Sequence, residues 1–369
     1  MSFNNTLSLE VCHQAIARTA IWAGKQIETA DLNNPSFVAL GLYKGLTSFQ
    51  CAGMFAANEK LRGAVGRLIT NSGDFHSQHK LSLFKAVLSH TSQRGSNLYA
   101  SIFGAPLDLG RTYRNAWFCG GAHSTADFDL RDNGLNGLIN SMHADLGALC
   151  HSIQVPEPLR IYDLGTNACV VNTFLNCGHI QLALKVGEFT KQLIMTQNGN
   201  ATEIVLATDS QGKPLDINSV QSKVAQKLYF FSTANTTQVY WLLGMALKAF
   251  ASLHKATNDD QWLAPAKRIL TWLERCPEEF VDSITSAKIG WGAAEMFAQT
   301  RDPVWRELAI KVAQSIVNSQ TPEGIWIRPD FPSWLDQPLL VSLDTAIERM
   351  YYLHEIPRAL ETGGMPLDS

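Results

Sequence analysis

"SITSAKIGWGAAEMF", residues 283 to 297, is apolar and rich in small residues on nearly every side, with one lysine, Lys288, in its first turn. A helix without a polar face has no side to offer to water, so it must be buried all round. The same character recurs in YKGLTSFQCAGMF (43–55), YRNAWFCGGAH (113–123), TNACVVNTFLNCG (166–178), TTQVYWLLGMALKAFASLH (236–254) and SLDTAIERMYYLH (342–354). Glycine inside such helices costs about 1 kcal/mol of propensity against alanine, yet it lets neighbouring backbones approach closely. Amphipathic segments alternate with these, near 8–27, 58–70, 127–143, 179–196, 259–275 and 302–319. In the last of them Trp305, Leu308, Val312 and Ile316 recur at helical spacing, behind Asp302 as N-cap and Pro303 at the first helical position. Six outer-then-inner pairs, none able to cover its own inner helix, predict an all-α fold, a single (α/α)6 toroid over residues 1–369. A small β-hairpin insertion is expected near 200–217, where the chain alternates around the turn SQGK.

Composition narrows the function. The chain has 369 residues, 46% hydrophobic and 17% charged, with a net charge of -3, which describes a globular protein with a large core. No basic run or stripe suits a phosphate backbone, so nucleic acid is excluded as a partner. The first residues lack a basic and apolar leader, and no stretch approaches the ~18 apolar residues of a membrane span. Seven scattered cysteines without a C-x-x-C pair fit free thiols in a reducing compartment. A cytoplasmic protein without a membrane span is the expectation. Oligomeric state is not legible.

Connections from inner to outer helices are short, whereas the reverse connections, such as 71–112 and 197–235, are long. Long loops in compact domains are usually functional, so the rim that carries them, where all six inner helices begin, is the expected mouth of a cavity. Helix starts favour anions. The first turns add Lys44, Arg114, Asn115, Asn167, Asn235, Gln238 and Lys288, a set suited to a phosphate, diphosphate or carboxylate. A lone lysine in a first turn ordinarily snorkels to solvent, and it is the convergence that gives Lys288 a functional reading. Asp344 and Glu348, at i and i+4 on the last inner helix, join Asp163 and Asp74 as candidate Mg²⁺ ligands. The same acids would serve equally as helix-dipole and ion-pair partners. Deeper lie Phe49, Trp117, Phe118, Tyr240, Trp241 and Trp291, either core packing or an aromatic cup able to stabilise a carbocation. His123, His179 and His254 sit at the ends of inner helices and read as structural, and His76 with His79 is too loose a pair for a metal site. P-loop, G-x-S-x-G, H-E-x-x-H and dinucleotide-binding patterns are all missing.

Three fragments carry resemblances. "SQTPEGIW" (319–326) looks like the Q-x-x-x-G-x-W stretches of squalene-cyclase and prenyltransferase toroids, and "TYRNAWFCGGAHSTADFDL" has the look of a carbohydrate-active (α/α)6 enzyme. "ITSAKIGW" (284–291) resembles the fungal humulene synthases of tropolone sesquiterpenoid pathways, which lack the usual terpene-cyclase motifs. That resemblance implies a sesquiterpene cyclase that ionises farnesyl diphosphate with Mg²⁺. Lys288 would match an essential lysine and Ile284 a position that influences product geometry. Lys288 and Arg114 are then the catalytic candidates, gripping the diphosphate, with Lys44, Asn115, Trp117, Asn167, Asn235, Gln238, Trp241, Ile284 and Trp291 around the substrate. The alternative is a carbohydrate-active lyase, hydrolase or epimerase on an acidic sugar, with Asp74, His123 or Asp163 in acid/base roles. A second alternative is a non-catalytic toroid whose centre is packed shut.

Overall fold

The computed structural model describes residues 7–69, 73, 111–152, 155–220, 223–236, 238–329, 331–333 and 335–364. The chain is an (α/α)6 toroid. Among the described residues its α-helices in order are α1 (Leu9–Thr29), α2 (Pro35–Gly41), α3 (Gly45–Cys51), α4 (Phe55–Leu68), α5 (Arg111–Ser124), α6 (Phe128–Asn140), α7 (Leu164–Asn176), α8 (Ile180–Met195), α9 (Lys223–Tyr229), α10 (Trp241–Thr257), α11 (Leu263–Leu273), α12 (Ala287–Thr300), α13 (Pro303–Asn318) and α14 (Leu339–Thr362). The inner ring runs α3–α5–α7–α10–α12–α14, each packed on the next, and closes where α14 meets α3. Outside it lie α1, α4, α6, α8, α11 and α13.

The small residues of the inner helices set how close they come. A side chain on Gly244 of α10 would strike the backbone of Lys288 at 2.3 Å, and one on Gly292 of α12 would strike the Gly244 carbonyl at 2.6 Å. The two helices therefore touch backbone to backbone at the level of Lys288. In α12 every side chain from Ala287 to Ala298 is buried, as an all-round apolar pattern requires. Outer α13 buries one face only, through Trp305, Ala309, Val312 and Ile316 among others, and Asp302 caps it by accepting from the Val304 amide.

The lower rim, where inner helices end, is made of tight turns. Each inner-to-outer connection places one residue at positive φ: Gly53, Ala126, Gly178, Asn258 and Arg301. A left-handed residue turns the chain out of the helix while its amide still reaches back to a helical carbonyl, as the Arg301 amide does to Phe297.

The opposite rim is built differently. The segment expected to form its own hairpin instead pairs outward: β2 (Glu203–Val205) lies antiparallel to β4 (Phe230–Ser232), and β3 (Ala207–Thr208) to β1 (Tyr162–Asp163). The SQGK turn is present, closed from Asp209 to Lys213, but only an isolated Thr208–Pro214 bridge follows it. The short strands thus take their partners from the segment before α7 and from the strand after α9. Among the described residues no helix is long and apolar enough to cross a membrane.

Candidate functional site

The inner helix starts surround a cavity of about 480 Å³, the size range of small-molecule sites. Each of the six inner helices, or the residue just before it, contributes to the wall. Lys44, Arg114, Asp163, Gln238, Trp241, Ile284, Lys288, Asp344 and Glu348 all line it. The other candidates are elsewhere. Asn167 spends its side chain on Leu149 and on the Asp163 carbonyl, clamping a loop. Neither Asn115 nor Asn235 lines the cavity. Asp74, His76 and His79 lie outside the described residues. His123 is on the lower rim, beside Arg131 and Phe128.

At the centre of the site two lysines meet two carboxylates. Lys44 donates to Asp344 at 2.8 Å and also to Glu348, and Lys288 donates to Glu348 from the other side. Tyr352, one turn beyond Glu348, adds a third donor through its hydroxyl at 3.1 Å. Lys288 also lies over the rings of Trp241 and Tyr352, at 5.2 and 5.6 Å. All four charged side chains are largely buried, and the helix spacing that puts Asp344 and Glu348 on one face of α14 aims both at the same ammonium.

The network pushes the pKa values of its members in different directions. Burial pushes Glu348 up, but the ammonium groups of Lys288 and Lys44 pull it well below the usual carboxylate range. Burial also raises Asp344, and there Lys44 offsets it only in part, so its carboxyl ends above its ordinary value. Lys288 is drawn down by burial more than Glu348 restores, whereas Lys44, with two carboxylates in contact, ends above an ordinary lysine. Of the acids expected to hold Mg²⁺, Asp344 and Glu348 are thus committed to ammonium groups, which a divalent cation would have to displace.

A second acid/base pair stands on the wall. His151 Nε2 is 3.4 Å from Asp163 Oδ2, while Asp163 Oδ1 caps α7 by accepting from the Thr166 amide at 2.9 Å. His151 lies in an irregular loop, and no spacing in the sequence singles it out. On the far side Arg349 is buried and lines the cavity. It donates weakly to Ser319 and to the Ile284 carbonyl, stacks over Trp326, and keeps an Nε without a partner among the described residues.

Below the charges the interior is filled. Trp117, Tyr351, Tyr352 and Trp291 pack ring against ring at centroid distances of 5.3 to 6.0 Å, and neither tryptophan lines the cavity. Phe49, Phe118 and Tyr240 are fully buried in the core. The aromatic residues therefore form a packed plug, with only Trp241 among those expected facing the cavity.

No protein family matches this chain, and no curated protein matches it by sequence. In shape it is similar to an unsaturated glucuronyl hydrolase specific for heparin, at 12% identity and a TM-score of 0.58 over 98% of this chain and 100% of that one. It is likewise similar to an unsaturated glucuronyl hydrolase from Streptococcus agalactiae, at 13% and 0.56 over 98% and 94% of the two chains. A GH76 α-mannanase from Bacteroides thetaiotaomicron matches at 13% and 0.54 over 95% of each. At such identities the likeness is one of fold. It nonetheless corrects the resemblance drawn from "ITSAKIGW": the matching toroids named here are glycan hydrolases, not terpene cyclases. The site agrees with that correction. Lys288 is ion-paired to Glu348 rather than waiting for a diphosphate, and beneath it lies a packed plug where a hydrocarbon cup was expected. The sesquiterpene cyclase reading, with farnesyl diphosphate as substrate, is set aside.

Proposed function

We propose that the protein is a carbohydrate-active enzyme whose substrate is an acidic sugar. The observation that carries this reading is the composition of the cavity wall. Arg349, with a spare buried donor, stands beside two carboxylates pushed in opposite directions from their ordinary pKa values, and Tyr43 and Trp241 line the same cavity. A planar guanidinium suits a carboxylate, and a sugar hydroxyl needs the dense mixture of donors and acceptors found here. The raised member of the pair is the one suited to an acid role. Asp344, raised by burial, is the proton donor to a glycosidic oxygen, and His151, oriented by Asp163, receives the proton of an attacking water. Glu348 is gripped by three donors and acts by positioning both lysines. The relatives in shape that remove unsaturated glucuronyl groups support the substrate class, and the free state of all seven cysteines supports a cytoplasmic location.

The test is a substrate panel read by chromatography and mass: oligosaccharides ending in unsaturated uronate, and neutral α-1,6-manno-oligosaccharides. Cleavage of the uronate substrates is expected, and Arg349→Met should raise their KM by roughly 10-fold or more with a smaller change in kcat, since a charged hydrogen bond to bound substrate is lost. Turnover confined to neutral glycans, or to none of the panel, rejects the acidic-sugar reading.

A further inference from the structure

The ring closes where α3, its first inner helix, meets α14, its last. At the mouth this seam is held by Lys44, just before α3, against Asp344 and Glu348 of α14. At the other end the same two helices bring together a trio of different chemistry. Cys51 ends α3, and His354 and Glu355 stand on α14 close to Pro357, which lies inside that helix. The Cys51 sulfur, one ring nitrogen of His354 and one carboxylate oxygen of Glu355 all lie within 4.8 Å of one another. His354 Nδ1 is 3.0 Å from Glu355 Oε1, and the other oxygen, Oε2, accepts from Arg358 at 2.5 Å. Glu355 is buried, Cys51 is half-buried, and the His354 side chain is 37% exposed. An ion pair accounts for the glutamate, the arginine and the histidine, and the Cys51 thiol, turned into the same cluster against His354, adds a soft donor that an ion pair does not require.

We propose that Cys51, His354 and Glu355 form a zinc site that clamps α3 to α14 at the lower rim. Sulfur, nitrogen and oxygen donors together suit Zn²⁺, whereas Mg²⁺ and Ca²⁺ take oxygen sets. Three protein donors leave a fourth position for water, on the side where His354 meets solvent. On binding, the Cys51 thiol gives its proton to water and the thiolate takes the metal. A proton on His354 Nδ1, which faces Glu355 Oε1, passes likewise to water, and the neutral imidazole keeps its other proton on Nε2 while Nδ1 takes the metal. Nothing is oxidised or reduced. Arg358 keeps its hold on the second carboxylate oxygen and orients the first. The clamp joins segments from near opposite ends of the chain, so its binding free energy appears as stability of the closed ring.

The experiment uses the whole chain, stripped with a chelator and titrated with Co²⁺ and then Zn²⁺. One equivalent of Co²⁺ should bind with a thiolate-to-cobalt charge-transfer band, Zn²⁺ should displace it, and saturating Zn²⁺ should raise the thermal midpoint by roughly 2–4 °C. Cys51→Ser should abolish the band and the thermal shift. His354→Gln should weaken binding about 10-fold or more and serves as the second variant should the first fold poorly. Cobalt bound without the sulfur band, a band that survives in Cys51→Ser, or no saturable binding by the intact protein overturns the site. The readout is independent of any glycan turnover.

Discussion

The two rims of the toroid are made by the same six inner helices and have opposite characters. At the lower rim the helices end, the connections are tight turns, and each turn is closed by a residue at positive φ. At the mouth the helices begin, the connections are long, and charges are buried against one another across the ring. The lower rim is local chemistry: the chain can leave a helix in only a few ways, and neighbouring residues decide which. The mouth is long-range chemistry, because the partner of Lys288 is Glu348, on a different helix of the ring.

The contrast can be broken most severely at Glu348. Glu348→Ala leaves two buried ammonium groups facing each other without their shared counter-ion, and should cost about 3–5 kcal/mol of unfolding free energy by urea denaturation. A loss below about 1 kcal/mol would mean that the network is solvated.

A milder probe is acid. Glu348 is held in the folded chain well below its ordinary value of 4.5, so it contributes stability that is complete above that pH and drains away as pH falls towards the folded value. Asp344, held above its ordinary 3.8, contributes in the opposite sense as pH falls, and offsets part of the loss. Urea midpoints of the wild type should therefore decline below about pH 4.5, and those of Glu348→Gln should decline less. Parallel curves for the two proteins would contradict the split.

The smallest expected effect lies at the lower rim. Ala126 adopts φ 57°, a conformation that costs an L-residue with a side chain about 1 kcal/mol, and Ala126→Gly should stabilise the protein by roughly 0.5–1 kcal/mol in the same assay. Destabilisation there would show that the Ala126 side chain contributes packing worth more than the strain.

The fold was legible in the sequence because all-round apolar helices and one-sided helices cannot exchange places. Glycine and alanine runs such as those in α12 can only be buried, and alternating them with amphipathic helices leaves few architectures. Much of the cavity wall was legible for the same reason: counting helices put Lys44, Arg114, Lys288, Asp344 and Glu348 at one end. Their pairing was not legible, since it depends on how far α14 starts above its neighbours and so which of its turns meets Lys44. Nor was His151, whose loop has no periodicity, or the outward pairing of β2 and β3, which needs strand edges supplied from distant segments. The short "ITSAKIGW" match misled because a lysine at a helix start looks alike whether it awaits an anion or already has one.

The backbone contact between Gly244 and Gly292 bears on how this protein could be re-engineered. With α10 and α12 touching, Trp241 and Lys288 are fixed relative to each other, and a bulkier residue at either glycine would shift both at once. A library aimed at new substrates should therefore leave those two helices untouched. It should diversify the parts of the wall that hang from loops, at Thr236, Gln238 and Val239, at 283–285 and at 328–329, where sequence can change without moving the ring.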